Sequence, residues 1–171
     1  MNIHKKYVLN LVKRNFICAE IGVWKGEFSQ SIFNKKPGHL YLIDPWEYMP
    51  VYTDRWYGGK LAKCDDDMES IFDSVKKQFG GCSNVSVCRG DSGLIVPTLP
   101  NLDWSYVDGN HSYDFVLKDI SNCYNITKTG GFVCGDDLQK PEVKKALDRF
   151  VKVHKIKRVE IRGYQFIIEK K

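Results

Sequence analysis

Five short stretches of this chain place acids at the end of a run of apolar residues, four of them beside glycine, serine or histidine. They are Glu20-Ile-Gly22-Val-Trp-Lys-Gly26, Asp44-Pro45, Arg89-Gly-Asp91-Ser92, Asp108-Gly-Asn-His111 and Gly135-Asp136-Asp137. Glycines at 22 and 26 let a backbone approach a ligand closely. Asp44 stands about twenty residues beyond that loop, the spacing at which an acid grips ribose hydroxyls. Asp91 taken alone is equally a helix cap. Asp108, Asp136 and Asp137 come from neighbouring segments, and two carboxylates about 4 Å apart repel by roughly 4 kcal/mol at an effective dielectric of 20. Such a cluster needs a raised pKa or a cation. All-oxygen ligands favour Mg2+, Mn2+ or Ca2+ over zinc. His111, three residues past Asp108, can act as a base near neutral pH.

The elements that must position these residues alternate strand and helix. Ile3, Tyr7 and Leu11, with Val8 and Val12, predict an amphipathic helix over 3–14. Strands are expected at 16–21, 39–43, 84–88, 104–107 and 132–134. Helices are expected at 25–35, 65–79, 92–96, 113–127 and from Pro141 to about 153, where proline suits the first turn. Asp65-Asp66-Asp67 opening and Lys76-Lys77 closing the 65–79 helix suit its dipole. Residues 158–161 and 165–169 flank Arg162-Gly163-Tyr164 as an antiparallel hairpin. Five strands alternating with helices imply an open α/β sheet with right-handed crossovers. Ligands bind such sheets at the carboxyl ends of the strands, where all five acidic stretches fall.

With 171 residues the chain makes one domain. Its hydrophobic share of 43% and charged share of 27% are ordinary for a globular protein and exclude disorder, collagen and coiled coil. The longest apolar runs are about five residues, too short for a membrane span, and the start lacks a signal-peptide pattern. The net charge is +5, yet Lys140 to Lys171 holds eleven Lys/Arg against four Asp/Glu. That basic stretch reads either as a solvated helix face or as a surface for nucleic acid. Six cysteines form no C-x-x-C pair; Cys18, Cys88 and Cys134 lie in strand-like runs. A reducing, cytoplasmic location is expected.

The stretch from Trp104 through Asp108-Gly-Asn-His111-Ser-Tyr113 to Asp119, followed by Gly130-Gly131 and Asp136-Asp137, resembles class I S-adenosylmethionine-dependent methyltransferases. Within that class it is similar to the group of macrocin-type sugar O-methyltransferases and cephalosporin hydroxylase-like proteins, over about residues 18–138. The resemblance implies a Rossmann-like, doubly wound, seven-stranded sheet, mostly parallel with an antiparallel last strand. It implies that Glu20, Gly22 and Gly26 line the methionine side of the cofactor, Asp44 holds the ribose, and Asp91 with Ser92 lies near the adenine. Asp108 joins the cofactor contacts and, with Asp136 and Asp137, matches the positions that hold Mg2+ or Mn2+. His111 matches the general base. The loop carries Trp24 where many methyltransferases have a second glycine, and a single helix, within residues 1–15, precedes the first strand.

The implied reaction is metal-assisted methyl transfer to a hydroxyl of a small molecule, a sugar or glycoconjugate among the candidates. Residues 46–57 hold Trp46, Tyr48, Tyr52, Trp56 and Tyr57, with Arg55 among them. The segment 45–64 reads as a lid over the acceptor whose aromatics stack on rings and whose Arg55 meets an anionic group, or as a surface loop tucked onto the core. The rival functions are a nucleic-acid methyltransferase and a catalytically inactive cofactor-binding partner subunit. Against the first, no Asn-Pro-Pro-aromatic motif follows the fourth strand. Assembly into an oligomer stays open.

Overall fold

In the computed structural model, which describes residues 3–171, strands β1 (Ile17–Ile21), β2 (His39–Asp44), β3 (Val85–Arg89), β4 (Leu102–Val107) and β5 (Thr127–Gly135) run parallel. β6 (Glu160–Arg162) and β7 (Gln165–Glu169) form the closing hairpin. β7 inserts antiparallel between β5 and β6, giving the order β3-β2-β1-β4-β5-β7-β6. This is the Rossmann-like, mostly parallel seven-stranded sheet expected. The chain steps outward from β1 to β3 and then returns to pair β4 against β1. That reversal puts the ligand crevice expected of open α/β sheets at the ends of β1 and β4.

Successive strand residues point to opposite faces, and both faces are covered. On one face Cys18, Leu40, Leu42, Trp104 and Tyr106 pack with helices α1 (Ile3–Leu9), α2 (Glu27–Phe33) and α3 (Asp65–Phe79). On the other, Ala19, Ile21, Ile43, Val107 and Val133 pack with α5 (Tyr113–Ile126) and α6 (Pro141–Val153). A short α4 (Ser92–Ile95) runs into a 3-10 turn at Val96–Thr98. Glu20 shares its face with Cys18, so it is buried among the side chains under α1 and α2.

Several boundaries shift by one or two residues, as at α2, β3, β4 and β6, and two depart further. The first helix stops at Leu9, because Leu11 and Val12 donate to carbonyls three residues back and Asn15 turns left-handed at φ 66°. Val12 is still buried, so the apolar period was real while the helix was not. Met1 and Asn2 lie outside the described residues. β5 starts five residues earlier than expected. Gly130 donates to the Lys170 carbonyl and sits inside the strand at φ 78°.

The aromatic segment is a folded loop around a 3-10 turn at Trp56–Gly58. Trp46 is fully buried against Phe72, with ring centroids 5.0 Å apart. Tyr48 and Tyr57 also pack on the core, while Trp56 stays half exposed against Trp24. No described helix is long and apolar enough to cross a membrane.

Candidate active site

The β1–α2 turn sets one wall of the crevice. Gly22 donates to the Ile43 carbonyl of β2, and Asp108, just past β4, donates to the Ile21 carbonyl. These bonds zip the strand ends so tightly that a Cβ on Gly22, at φ 88°, would fall 2.3 Å from the Asp108 carbonyl oxygen. Trp24 adopts φ 54°, the left-handed conformation in which a glycine is at ease. Its amide donates to Asp44 Oδ2 at 3.0 Å, and the Trp46 amide donates to Asp44 Oδ1 at 2.8 Å. Asp44 therefore ties the loop after β1 to the loop after β2. Burial pushes its pKa up against three backbone N–H groups that pull it down. Nearby, the buried Tyr57 hydroxyl has no partner among the described residues, and burial pushes its pKa up to about 12. The Arg55 charge opposes that rise, and the Tyr52, Asp54 and Asp44 charges add to it.

Glu20 receives a short hydrogen bond from the Ser29 hydroxyl of α2. Burial pushes its carboxyl up to about 8; the Ser29 bond and the Lys5 charge pull the other way, and the Asp108 and Asp44 charges push further up.

At the third strand end Asp91 caps α4, accepting from the Gly93 amide at 2.6 Å, and Ser92 donates to buried Asp119 at 2.6 Å. Both carry structural duties there, with three strands of the sheet between them and Asp136.

The acids after β4 and β5 do come together, but not as one group. Asp108, His111 and Asp137 offer ligand atoms within 4.8 Å of one another. Asp136 turns toward β7, where Gln165 donates to its Oδ1 and the Tyr106 hydroxyl donates to its Oδ2 at 3.2 Å. Charge repulsion among the acids requires a cation, and the chain supplies two. Lys5 Nζ of α1 lies 3.0 Å from Asp108 Oδ2 and 3.2 Å from Asp136 Oδ2, over the rings of Phe28 and Tyr106. Burial would lower the Lys5 pKa, but the two carboxylates outweigh it and hold it raised. Lys140 Nζ lies 2.7 Å from Asp137 Oδ2. Burial works to raise the Asp137 carboxyl, yet His111 and Lys140 hold it well below the usual carboxylate range.

His111 sits at the centre. Arg55 Nη1, from the aromatic loop, approaches its Nδ1 at 2.9 Å, and Lys140 Nζ approaches the same nitrogen at 2.6 Å. A nitrogen facing two cations is the acceptor, which assigns the neutral ring's proton to Nε2. Nε2 stands 2.9 Å from Asp137 Oδ2, off the hydrogen-bond axis, and no described residue satisfies it. Burial lowers the His111 pKa, but Asp108 and Asp137 outweigh burial and the opposing Lys140 charge, leaving it raised. A second proton can enter only at Nδ1, as Arg55 and Lys140 turn aside. Neither Lys5 nor Arg55 shows a local pattern that ties it to these acids; only Lys140, three residues from Asp137, stands near enough in sequence to have been suspected.

Residues 19–138 match the family described as "Methyltransferase domain". The chain belongs to that family. Its fold is that of S-adenosylmethionine-dependent methyltransferases, and solved structures agree. A putative methyltransferase from Streptococcus mutans in complex with SAH superposes with a TM-score of 0.69 at 12% identity, over 98% of this chain and 95% of that one. The O-methyltransferase NovP gives 0.68 at 16% identity, over 97% and 77%. An uncharacterized protein of Acanthamoeba polyphaga mimivirus is 36% identical over 150 residues, 81% of this methyltransferase-family chain. The chain spans 61% of that relative's length.

Proposed function

We propose that the protein is an S-adenosylmethionine-dependent O-methyltransferase acting on a hydroxyl of a small molecule, a sugar or glycoconjugate. The observation that carries this reading is the meeting of His111 with Asp108 and Asp137 in the crevice beside the Gly22 turn. Glu20, Gly22 and Gly26 would face the methionine end of the cofactor, with Asp108 at the crevice floor. Asp44 would take the ribose. Asp91 and Ser92 would border the adenine by backbone and shape, since their side chains are engaged. When bound, S-adenosylmethionine supplies an electrophilic methyl group. His111 takes the acceptor's proton at Nδ1, and the surrounding charges hold the acceptor in line, so positioning and electrostatics supply most of the rate.

Metal assistance is the dependent part of the proposal. Mg2+ or Mn2+ would be held by Asp108, Asp136 and Asp137 and would lower the acceptor hydroxyl's pKa. As the side chains stand, Lys5 and Lys140 hold the oxygens an ion would take, and Asp136 faces Gln165. The three acids fit an ion only after both ammonium groups withdraw, and His111 works as a base without one. The six free cysteines support a cytoplasmic location.

A nucleic-acid acceptor is the alternative that the exposed Lys144, Lys145, Arg149 and Lys152 of α6 favour, although Lys144 is paired with Asp148 at 2.7 Å. The test is calorimetric binding of S-adenosylhomocysteine (SAH), followed by transfer of labelled methyl to a panel of hydroxylated sugars and to RNA. SAH should raise the melting temperature by mass action, and Asp44→Ala should weaken it. His111→Ala should cut turnover by about 10²–10⁴-fold with SAH affinity kept. A folded protein that ignores millimolar SAH would refute the reading. Transfer to RNA alone would replace the small-molecule acceptor, and cofactor binding without any transfer would leave a partner subunit.

A further inference from the structure

Arg55 is a guanidinium without a proper counter-ion. Its one ion pair among the described residues is with Asp54, 3.6 Å away and 79% exposed. Its own side chain is only 25% exposed, and its close contact is a neutral imidazole nitrogen. The neighbouring acids have ammonium partners of their own and make no ion pair with Arg55. Lys5 bridges Asp108 and Asp136, and Lys140 pairs with Asp137. Lys140 nevertheless also leans on His111 Nδ1 at 2.6 Å, so two cations share one lone pair. A ring nitrogen can satisfy one strong donor, not two. The planar Arg fork matches carboxylate and phosphate groups in two-point contacts, which imidazole cannot offer.

We infer that Arg55 and Lys140 form a subsite for an oxyanion, a carboxylate or phosphate carried by the methyl acceptor close to its reactive hydroxyl. This rests on the reading of His111 as the acceptor-side base. Arg55 comes from the aromatic loop and Lys140 from the start of α6, so the subsite spans the mouth of the crevice beside His111. An arriving oxyanion takes the Arg55 fork and one Lys140 donor. Both cations then leave Nδ1, and the nitrogen that accepts the hydroxyl proton becomes free. Substrate charge and base availability are thereby linked: a neutral sugar leaves His111 covered, and an acidic or phosphorylated one uncovers it.

The test is a nuclear magnetic resonance titration of the full chain with inorganic phosphate and, separately, acetate, following the Arg55 Nε–H and His111 ring signals. Both anions should give saturable shifts at millimolar concentrations. Arg55→Gln and Lys140→Gln should each weaken them by about tenfold or more, while Arg55→Lys, which keeps charge but loses the fork, should recover only part. Tighter phosphate binding names a phosphomonoester acceptor, and tighter acetate binding a carboxylate one. No saturable shift, or shifts unchanged in Arg55→Gln, overturns the subsite. SAH binding, measured on the same samples, is a separate readout: its absence would sink the methyltransferase site while leaving the anion titration to stand or fall alone.

Discussion

Glu20 holds a proton that an exposed glutamate would have lost, and that proton should leave when the cofactor arrives. The residue is 2% exposed, and burial pushes its carboxyl up to about 8. At pH 7 about nine in ten molecules therefore keep it protonated. The unfolded chain would have released it near the ordinary value of 4.5. Retaining it at pH 7 costs about 3 kcal/mol of stability, by a difference of about 2.5 pH units at 1.36 kcal/mol each. The sign is that of an acid raised by folding: stability is highest below pH 4.5 and falls as pH rises toward 8. If Glu20 receives the ammonium of the methionine moiety, the opposite charge restores the carboxylate, and binding at pH 7 releases about 0.9 proton, falling to about 0.5 at pH 8. Calorimetry of SAH binding in two buffers of different ionisation enthalpy measures that number directly. Glu20→Gln should fold, gain stability above pH 7 and release no proton at this site. Zero release by the unaltered protein at pH 7, or equal release from the Gln variant, would refute the assignment of Glu20 to the cofactor.

Two further outcomes follow from buried and paired charges. Asp119, 3% exposed, is pushed up to about 6 by burial against the hydrogen bond from Ser92. Stability should therefore decline between about pH 4 and 6, and Asp119→Asn should gain about 3 kcal/mol at pH 7.5 in urea unfolding, a gain that vanishes below pH 4; equal stabilities at pH 7.5 would count against it. Lys5→Met removes the ammonium between Asp108 and Asp136, so Mn2+ affinity by calorimetry should rise about tenfold or more. Unchanged affinity would mean that Lys5 does not guard a metal position.

The sheet was legible because its signal is local. Short apolar runs ending in Glu20, Asp44, Asp91, Asp108 and Asp136 each carry their own strand and their own edge residue, and the parallel order then delivers all five to the same side. The Asp65–Phe79 helix was readable to the residue, since its acidic start and glycine stop bound it at both ends. The early start of β5 was not legible because glycine reports permitted conformations, not pairing, and only the Lys170 partner some forty residues away places Gly130 in the strand. The aromatic run from Trp46 to Tyr57 was ambiguous for a similar reason. The same rings suit a mobile cover or a tucked loop, and burial of Trp46 beneath Phe72 is a tertiary fact.

The cations tell the harder half of the story. A line of acids can be read from sequence because strand ends are periodic, whereas its counter-charges arrive from wherever the chain happens to pass. Lys5 comes from the helix before the sheet, Arg55 from an aperiodic loop and Lys140 from the start of α6. Repulsion among Asp108, Asp136 and Asp137 called for a raised pKa or a cation, and which side chains bring positive charge to them was a matter of topology. Once those three side chains are in place, the site is no longer a bare acidic cluster waiting for an ion. It is three acids balanced by Lys5, Lys140 and Arg55, and the one of those cations that none of the three acids holds, Arg55 at His111, is what would distinguish the acceptors this crevice favours.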